Sequence, residues 1–227
     1  AWCIYVAYNI IKNMGFNDKD IRIRQHNPKE LAHYADDAWD IEIKTKRYGY
    51  FEVCGIHDRT DYDLKRHGSF SKTKMKFGKE HPHILEIAFG VERPTYCLLE
   101  NAFKEDKLRS WLQFPLGNAP LDVAIFPLVR KDNLPKKAKE IFNELEKEFV
   151  CIYDETGSIG RMYRRMDEIG TSLCITIDYD TMKKDTVTIR EISSMKQIRV
   201  KVKEVMDVVR QILNSDIKFQ KAGKLTK

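Results

Sequence analysis

The sequence predicts two joined folds: an α+β region containing an antiparallel hairpin over residues 1–114, and an α/β region on a mixed sheet over residues 115–227. Three observations lead to this reading. Strict alternation runs through 38–44 and again through 48–54, with only a short basic turn between, as in a hairpin. The second half alternates short apolar strands with amphipathic helices, the pattern of helices covering a mixed sheet. Between them the segment 113–120, QFPLGNAP, has the proline and glycine density of a linker.

Taken in order, residues 1–14 (AWCIYVAYNIIKNM) read as a mostly buried helix closed by Gly15. This helix opens with no cap and no basic leader, so the chain is expected to begin inside a longer protein, or to have lost an initiator Met before Ala1. Ile21–Arg24 alternates as a half-exposed strand. Asn27, Pro28 and Glu30 form a capping-box start for a short helix through His33 and Ala35. The hairpin follows, and its second strand sets Glu52 on one face with Tyr48, Tyr50 and Cys54. Asp58 is the N-cap of a helix ending at Gly68, and residues 69–80 (SFSKTKMKFGKE) are an exposed basic loop. A strand at 84–90 leads into a helix over about 91–103, with Pro94 tolerated in its first turn. Beyond the linker come strands at 121–128, 149–153, 173–178, 186–190 and 197–202, and helices at 136–147, 158–169 and 205–213. The polar tail FQKAGKLTK is expected to fray.

Composition narrows the functional classes. With 42% hydrophobic residues in 227, there is material for real cores. Lys plus Arg exceed Asp plus Glu by 40 to 34, a net +6 that leans mildly toward polyanions and is far from a histone-like profile. Five single cysteines with no C-x-x-C pair argue against a disulfide framework and for a reducing, cytoplasmic setting. No stretch approaches the roughly 18 apolar residues of a membrane span. His81 and His83 form the closest histidine pair, without a third ligand at suitable spacing, so no metal site is expected.

The most informative stretch is 81–93, HPHILEIAFGVER. Alternation places Ile84, Glu86, Ala88 and Gly90 on one strand face and Leu85, Ile87 and Phe89 on the other. Glu86 thus lies among small side chains, and Arg93 follows with a permanent planar charge. Such a layout suits a small charged ligand, and it equally suits a surface ion pair. Farther on, Thr156-Gly157-Ser158-Ile159-Gly160 resembles a phosphate-binding turn. The helix it opens carries Arg161, Arg164 and Arg165 in one basic stripe, read either as a solvated face or as a contact for a phosphate backbone.

Several long motifs occur in an order that resembles the glycyl-tRNA synthetases of the α2 type. They are RIRQHNPKELAHYADDAWDIE (22–42), GYFEVCGIHDRTDYDLKRH (49–67), ILEIAFGVERPTYCLLENAF (84–103), DETGSIGRMYRRMDEIGTSLCITIDYDT (154–181) and TVTIREISSMKQIRV (186–200). The resemblance implies the second half of an antiparallel class II catalytic domain in 1–114, including the third signature motif. In 115–227 it implies a mixed-sheet, anticodon-binding α/β domain. By position, Glu52 and Glu86 match the acidic residues that hold the ammonium of glycine, Ala88 falls where the family has a serine, and Arg93 matches the arginine that contacts ATP. The same resemblance implies ATP with its Mg²⁺, glycine and tRNA(Gly) as ligands, with Arg161, Arg164 and Arg165 toward the tRNA. It also implies a homodimer when complete. The first two class II motifs have no counterpart here, and the family's long segment before the third motif is replaced by the loop 69–80. The chain is therefore expected to be the C-terminal part of such an enzyme. The alternative is a synthetase-like module that binds nucleic acid without catalysis.

Overall fold

A computed structural model describes residues 1–226, which divide into two compact units, 1–101 and 102–226. The first is built on a four-stranded antiparallel sheet in the order β1-β2-β3-β4, formed by Ile21–Gln25, Asp37–Thr45, Gly49–Asp58 and Leu85–Phe89. Helix α1 (Trp2–Asn13) presents Ala7 and Ile11 to a core with Ile41, Ile43, Val53, Cys54 and Ile56. Cys97 of α3 (Glu92–Ala102) joins the same core. One sheet face is therefore apolar, and the other is left to polar side chains.

Two expectations fail in this unit. Residues 26–36 form turns and no helix, although Asn27 N donates to Glu30 Oε2 at 3.1 Å as a capping box requires. Arg24 pulls the same Glu30 carboxylate toward the sheet at 3.0 Å, and the segment instead spans from β1 to β2. The helix after the hairpin, α2, runs from Tyr62 to Ser71, later at both ends than expected. Asp58 remains in β3, where its carboxylate accepts from Thr60 N at 3.0 Å. Residues 69–71, expected as loop, complete this helix.

The second unit holds a six-stranded mixed sheet in the order β12-β11-β10-β9-β7-β8. Its strands are β7 (Val123–Pro127), β8 (Cys151–Tyr153), β9 (Leu173–Ile177), β10 (Thr186–Glu191), β11 (Gln197–Lys201) and β12 (Lys224–Thr226). Strand β7 pairs in parallel with β8 and β9, while β9 through β12 are antiparallel. Parallel pairs need covering crossovers, provided by α4 (Leu134–Leu145) between β7 and β8 and α5 (Ile159–Ile169) between β8 and β9. Short helix α6 (Tyr179–Lys184) and helix α7 (Val205–Leu213) complete the unit, whose main core joins Leu134, Ala138 and Ile141 to Ile175, Ile189 and Val209.

Three features here were not foreseen. The tail 219–226 is used: Phe219 is buried, and β12 pairs with β11 along Gln197, Ile198 and Arg199. Helix α6 begins with a capping box between Asp178 and Thr181. A hairpin of β5 (Phe103–Glu105) and β6 (Ser110–Leu112) precedes the linker-like 113–120 and packs with this unit. The hairpin is fastened to α5 by a close approach: a Cβ on Gly170, whose φ is +87°, would meet the Phe114 ring at 2.7 Å and Leu112 O at 2.8 Å. The division accordingly falls at 101/102, ahead of the proline- and glycine-rich segment.

Candidate functional site

The polar face of the first sheet is organised in rows, because directly paired residues of neighbouring strands share a face. One row holds Arg22, Glu42 and Glu52; the next holds Arg24, Asp40, Gly55 and Ala88; the third holds Ala38, His57 and Glu86. Straight alternation along β3 would set Glu52 with Cys54, on the side away from Glu86. A bulge prevents this: Ile41 pairs with Cys54 and Glu42 with Glu52, leaving Val53 as the extra residue. Glu52 thereby leaves the face of Cys54 and joins that of Glu86.

Within these rows the carboxylates differ in access. Asp40 and Glu42 are buried and held by arginines from β1: Arg24 reaches Asp40 at 2.8 Å and Glu42 at 3.2 Å, and Arg22 also bonds Glu42. His26 Nε2 lies 2.7 Å from the Asp40 carboxylate. These four charged residues escaped the sequence reading. Their signal was present in the alternation of R-x-R in 22–24 facing D-x-E in 40–42.

Glu86 is less enclosed. Its Oε2 accepts from Arg59 Nη1 at 3.1 Å and lies 3.0 Å from His57 Nδ1, while its Oε1 has no hydrogen-bond partner among the described residues. Arg59 is fixed in turn by two bonds to Asp63, at 2.6 and 2.9 Å, and by stacking on Tyr34 with its guanidinium carbon 4.0 Å from the ring centre. The floor beside Glu86 is small, as expected, since Ala88 pairs with Gly55. A side chain at Gly55 would collide with the His57 ring at 2.8 Å, so the imidazole lies over that floor.

Glu52 and Arg93 form an open pair at 2.7 Å, with exposures of 46% and 49%. Arg93 also donates to Glu52 O at 3.3 Å. Glu52 and Glu86 share a face and do not touch: they stand two rows apart, at roughly 7 Å per row, each with its own cationic partner.

In the second unit the three arginines of α5 have separate fates. Arg165 is engaged within the fold, bonding Asp154 and donating to Thr156 O at 2.6 Å, so it ties down the 154–158 turn. Arg164 is exposed and lies 3.6 Å from the buried carboxylate of Asp167. Exposed Arg161 has no ion-pair partner among the described residues. The continuous stripe thus reduces to one free guanidinium and one half-neutralised neighbour.

The sequence reading also missed Arg109. Its Nη1 reaches Asp167 at 2.8 Å and its Nη2 donates to Ile192 O at 2.8 Å, while Arg190 holds the other oxygen of Asp167 at 2.8 Å. All three side chains are almost fully buried.

Nucleophilic cysteine chemistry finds no support. Burial pushes the Cys54, Cys151 and Cys174 thiols up to about 12 and that of Cys97 to about 11, which keeps them protonated at neutral pH. Among the described residues no three His, Cys, Asp or Glu side chains are grouped to hold a metal ion. No described helix is long and apolar enough to cross a membrane.

The fold of these two units, an antiparallel sheet with a charged face and a mixed α/β sheet, has a counterpart among solved structures. A crystal structure of prolyl-tRNA synthetase from Cryptosporidium parvum, complexed with L-proline and AMP, matches 94% of this chain and 45% of its own with a TM-score of 0.69 at 16% identity. Residues 122–212 match the family model described as an anticodon binding domain.

By sequence the chain is similar to curated glycine–tRNA ligases. It is 33% identical to that of Methanocaldococcus jannaschii (94% of this chain, 52% of the relative), 38% to that of Treponema denticola (92% and 48%) and 40% to that of Clostridium kluyveri (90% and 46%). The chain spans about half the length of these curated relatives. The M. jannaschii alignment extends over 299 positions, more than the 227 residues present, so that relative carries an insertion this chain lacks. The C. kluyveri alignment covers 216 positions and needs no such insertion.

Proposed function

We propose that this chain is the C-terminal part of an enzyme that attaches glycine to tRNA(Gly) through glycyl-adenylate. The observation that carries the reading is the polar face on which Glu86 stands beside the Gly55/Ala88 floor. There Arg59 donates to one carboxylate oxygen, with His57 Nδ1 at 3.0 Å from it, and Oε1 is left to accept from an ammonium group. A floor of glycine and alanine suits the smallest amino acid, and the charged groups around it exclude larger side chains by clash and by lost hydration. Ala88 offers no hydroxyl where the family has serine, a hydrogen bond worth about 0.5–1.5 kcal/mol.

Glu52 completes the ammonium site only if Arg93 lets go of it. The two functions then fit together: ATP phosphates draw Arg93 off Glu52, and the released carboxylate turns toward the incoming glycine. Arg93 would neutralise phosphate charge as the glycine carboxylate attacks the α-phosphate, a positioning and electrostatic role. Mg²⁺ is assigned to the nucleotide, whose phosphates provide its ligands. The second unit would read the anticodon stem with Arg161 and Arg164 on the phosphate backbone, while Arg165 shapes the turn. A homodimer and a cytoplasmic setting belong to the same proposal.

Glycine-dependent ATP–pyrophosphate exchange tests it. The chain is expected to be inactive alone and active when joined to the preceding half of the protein. Exchange that is absent from the joined protein, or equal with alanine, would sink it. In that event the remaining reading is a synthetase-like module that binds nucleic acid without catalysis.

A further inference from the structure

A floor of glycine and alanine makes room, and room alone excludes nothing. On the polar face of the first sheet one group takes that room away again. His57 pairs with Glu86 across β3 and β4 and stands two residues beyond Gly55, so its side chain rises on the same face as the floor. The imidazole leans back over Gly55: an added Cβ there would lie 2.8 Å from His57 Cε1 and 3.6 Å from its Nδ1. The space that a side chain at 55 would occupy is therefore already filled by the ring.

Packing fixes this ring in place. Tyr34 and His26 meet it edge to face, with ring centres 6.2 and 6.3 Å away. Both supports are themselves tied down, Tyr34 by the Arg59 guanidinium 4.0 Å from its centre and His26 by the Asp40 carboxylate at 2.7 Å. By contrast His57 Nδ1 is buried and makes no hydrogen bond, although Glu86 Oε2 is 3.0 Å away. A ring held by its neighbours' shape, with a nitrogen left unused at some cost in desolvation, acts through its bulk.

We propose that the His57 ring is the wall that sets the size limit of the amino-acid site. It closes the space above Gly55 and leaves a substrate held by Glu86 only the space above Ala88, which admits a methylene and rejects a β-carbon. His57 is then a specificity-determining residue that bonds neither the ammonium group nor the nucleotide. This rests on the synthetase reading and deepens it, because it names the group that turns a permissive floor into a selective one.

The test measures ATP–pyrophosphate exchange by the joined protein with L-alanine and with glycine, and takes the ratio of the two kcat/KM values. His57→Ala is expected to raise that ratio about tenfold, the low end of what one methyl group is worth in a fitted pocket. His57→Phe, which restores a flat ring on the same supports, is expected to keep the ratio within about threefold of the parent. Loss of a merely structural side chain would lower both rates and leave the ratio alone. Gly55→Ala approaches the wall from beneath. Gly55 is not left-handed, so the backbone accepts alanine, and the new methyl group should push the ring toward Ala88 and raise the KM for glycine severalfold. Circular dichroism verifies that each variant folds. An unchanged ratio in His57→Ala overturns the inference, as does an equal rise in His57→Phe. If His57→Ala does not fold, an unchanged KM for glycine in Gly55→Ala overturns it alone. Absence of glycine-dependent exchange from the parent strikes the synthetase reading and the wall with it, whereas a working parent with an unmoved ratio strikes the wall only.

Discussion

Arginine–carboxylate clusters occur in both units, and they are built to opposite ends. In the first unit Arg59–Glu86 and Arg93–Glu52 lie on an open sheet face, each with oxygens or N–H groups still unoccupied. In the second, Arg109 and Arg190 enclose Asp167 from two sides and are sealed from water. The same residue types thus serve exchange in one place and attachment in the other. Burial separates the two. A half-exposed pair has a net interaction of about 0–1 kcal/mol and is readily replaced by a ligand. A buried carboxylate with two arginines cannot lose a partner without stranding charge.

The largest effect that would test this contrast is in the second unit. Asp167→Ala should destabilise by about 3–5 kcal/mol in chemical denaturation, because Arg109 and Arg190 lose their shared counter-charge inside the protein. A loss below about 1 kcal/mol would show that water reaches the cluster and would erase the distinction. In the first unit, Glu86→Gln should leave denaturation nearly unchanged and lower glycine-dependent exchange by one to two orders of magnitude in the joined protein, the worth of a charged hydrogen bond. Arg59 keeps Asp63, so the variant retains its local structure.

Within α5 the comparison can be made on a single helix. Arg161→Ala should lower tRNA affinity severalfold and reduce the salt slope by about one, whereas Arg165→Ala should act through the turn it holds and lower thermal stability. Identical behaviour of the two would contradict the division between free and engaged arginines. Ala88→Ser should tighten glycine binding a few-fold by restoring a hydroxyl to the floor, measured as a fall in KM for glycine.

The smallest effect concerns pH. Burial pushes the Asp178 carboxyl up, but Arg199 and the amide and hydroxyl of Thr181 pull harder, and it ends below the usual range. Its stabilisation is therefore present above an ordinary carboxylate pKa, about 3.9, and is lost as pH falls through the lower folded value. Asp178→Asn should flatten the stability–pH profile only below about pH 4, and a change near neutrality would argue against this assignment.

Much of the arrangement was legible in residues with strong local signals. Alternation in 84–90 set Glu86 and Ala88 on one face and Ile87 on the other, and the register agrees: Ala88 pairs with Gly55 while Ile87 joins the core. Helices with an amphipathic period and a glycine stop, such as α5 before Gly170, were found nearly to the residue. Weak or competing local signals misled. The capping box at 27–30 lost to Arg24, the apparent linker at 113–120 lies within the second unit, and the polar tail was ordered by pairing with β11. Each of these outcomes depended on a partner distant in sequence.

The sequence by itself determined which side chains are chemically notable: Glu52, Glu86 and Arg93 stand out by type and surroundings, and their motifs carry the kinship with glycine–tRNA ligases. Only the tertiary structure decided that Glu52 and Glu86 belong to one face. Period two is unforgiving, so an unbroken β3 would have turned Glu52 toward Cys54 and the core. The extra residue at Val53 shifts the register by one against β2, and that shift is visible only when two strands are paired.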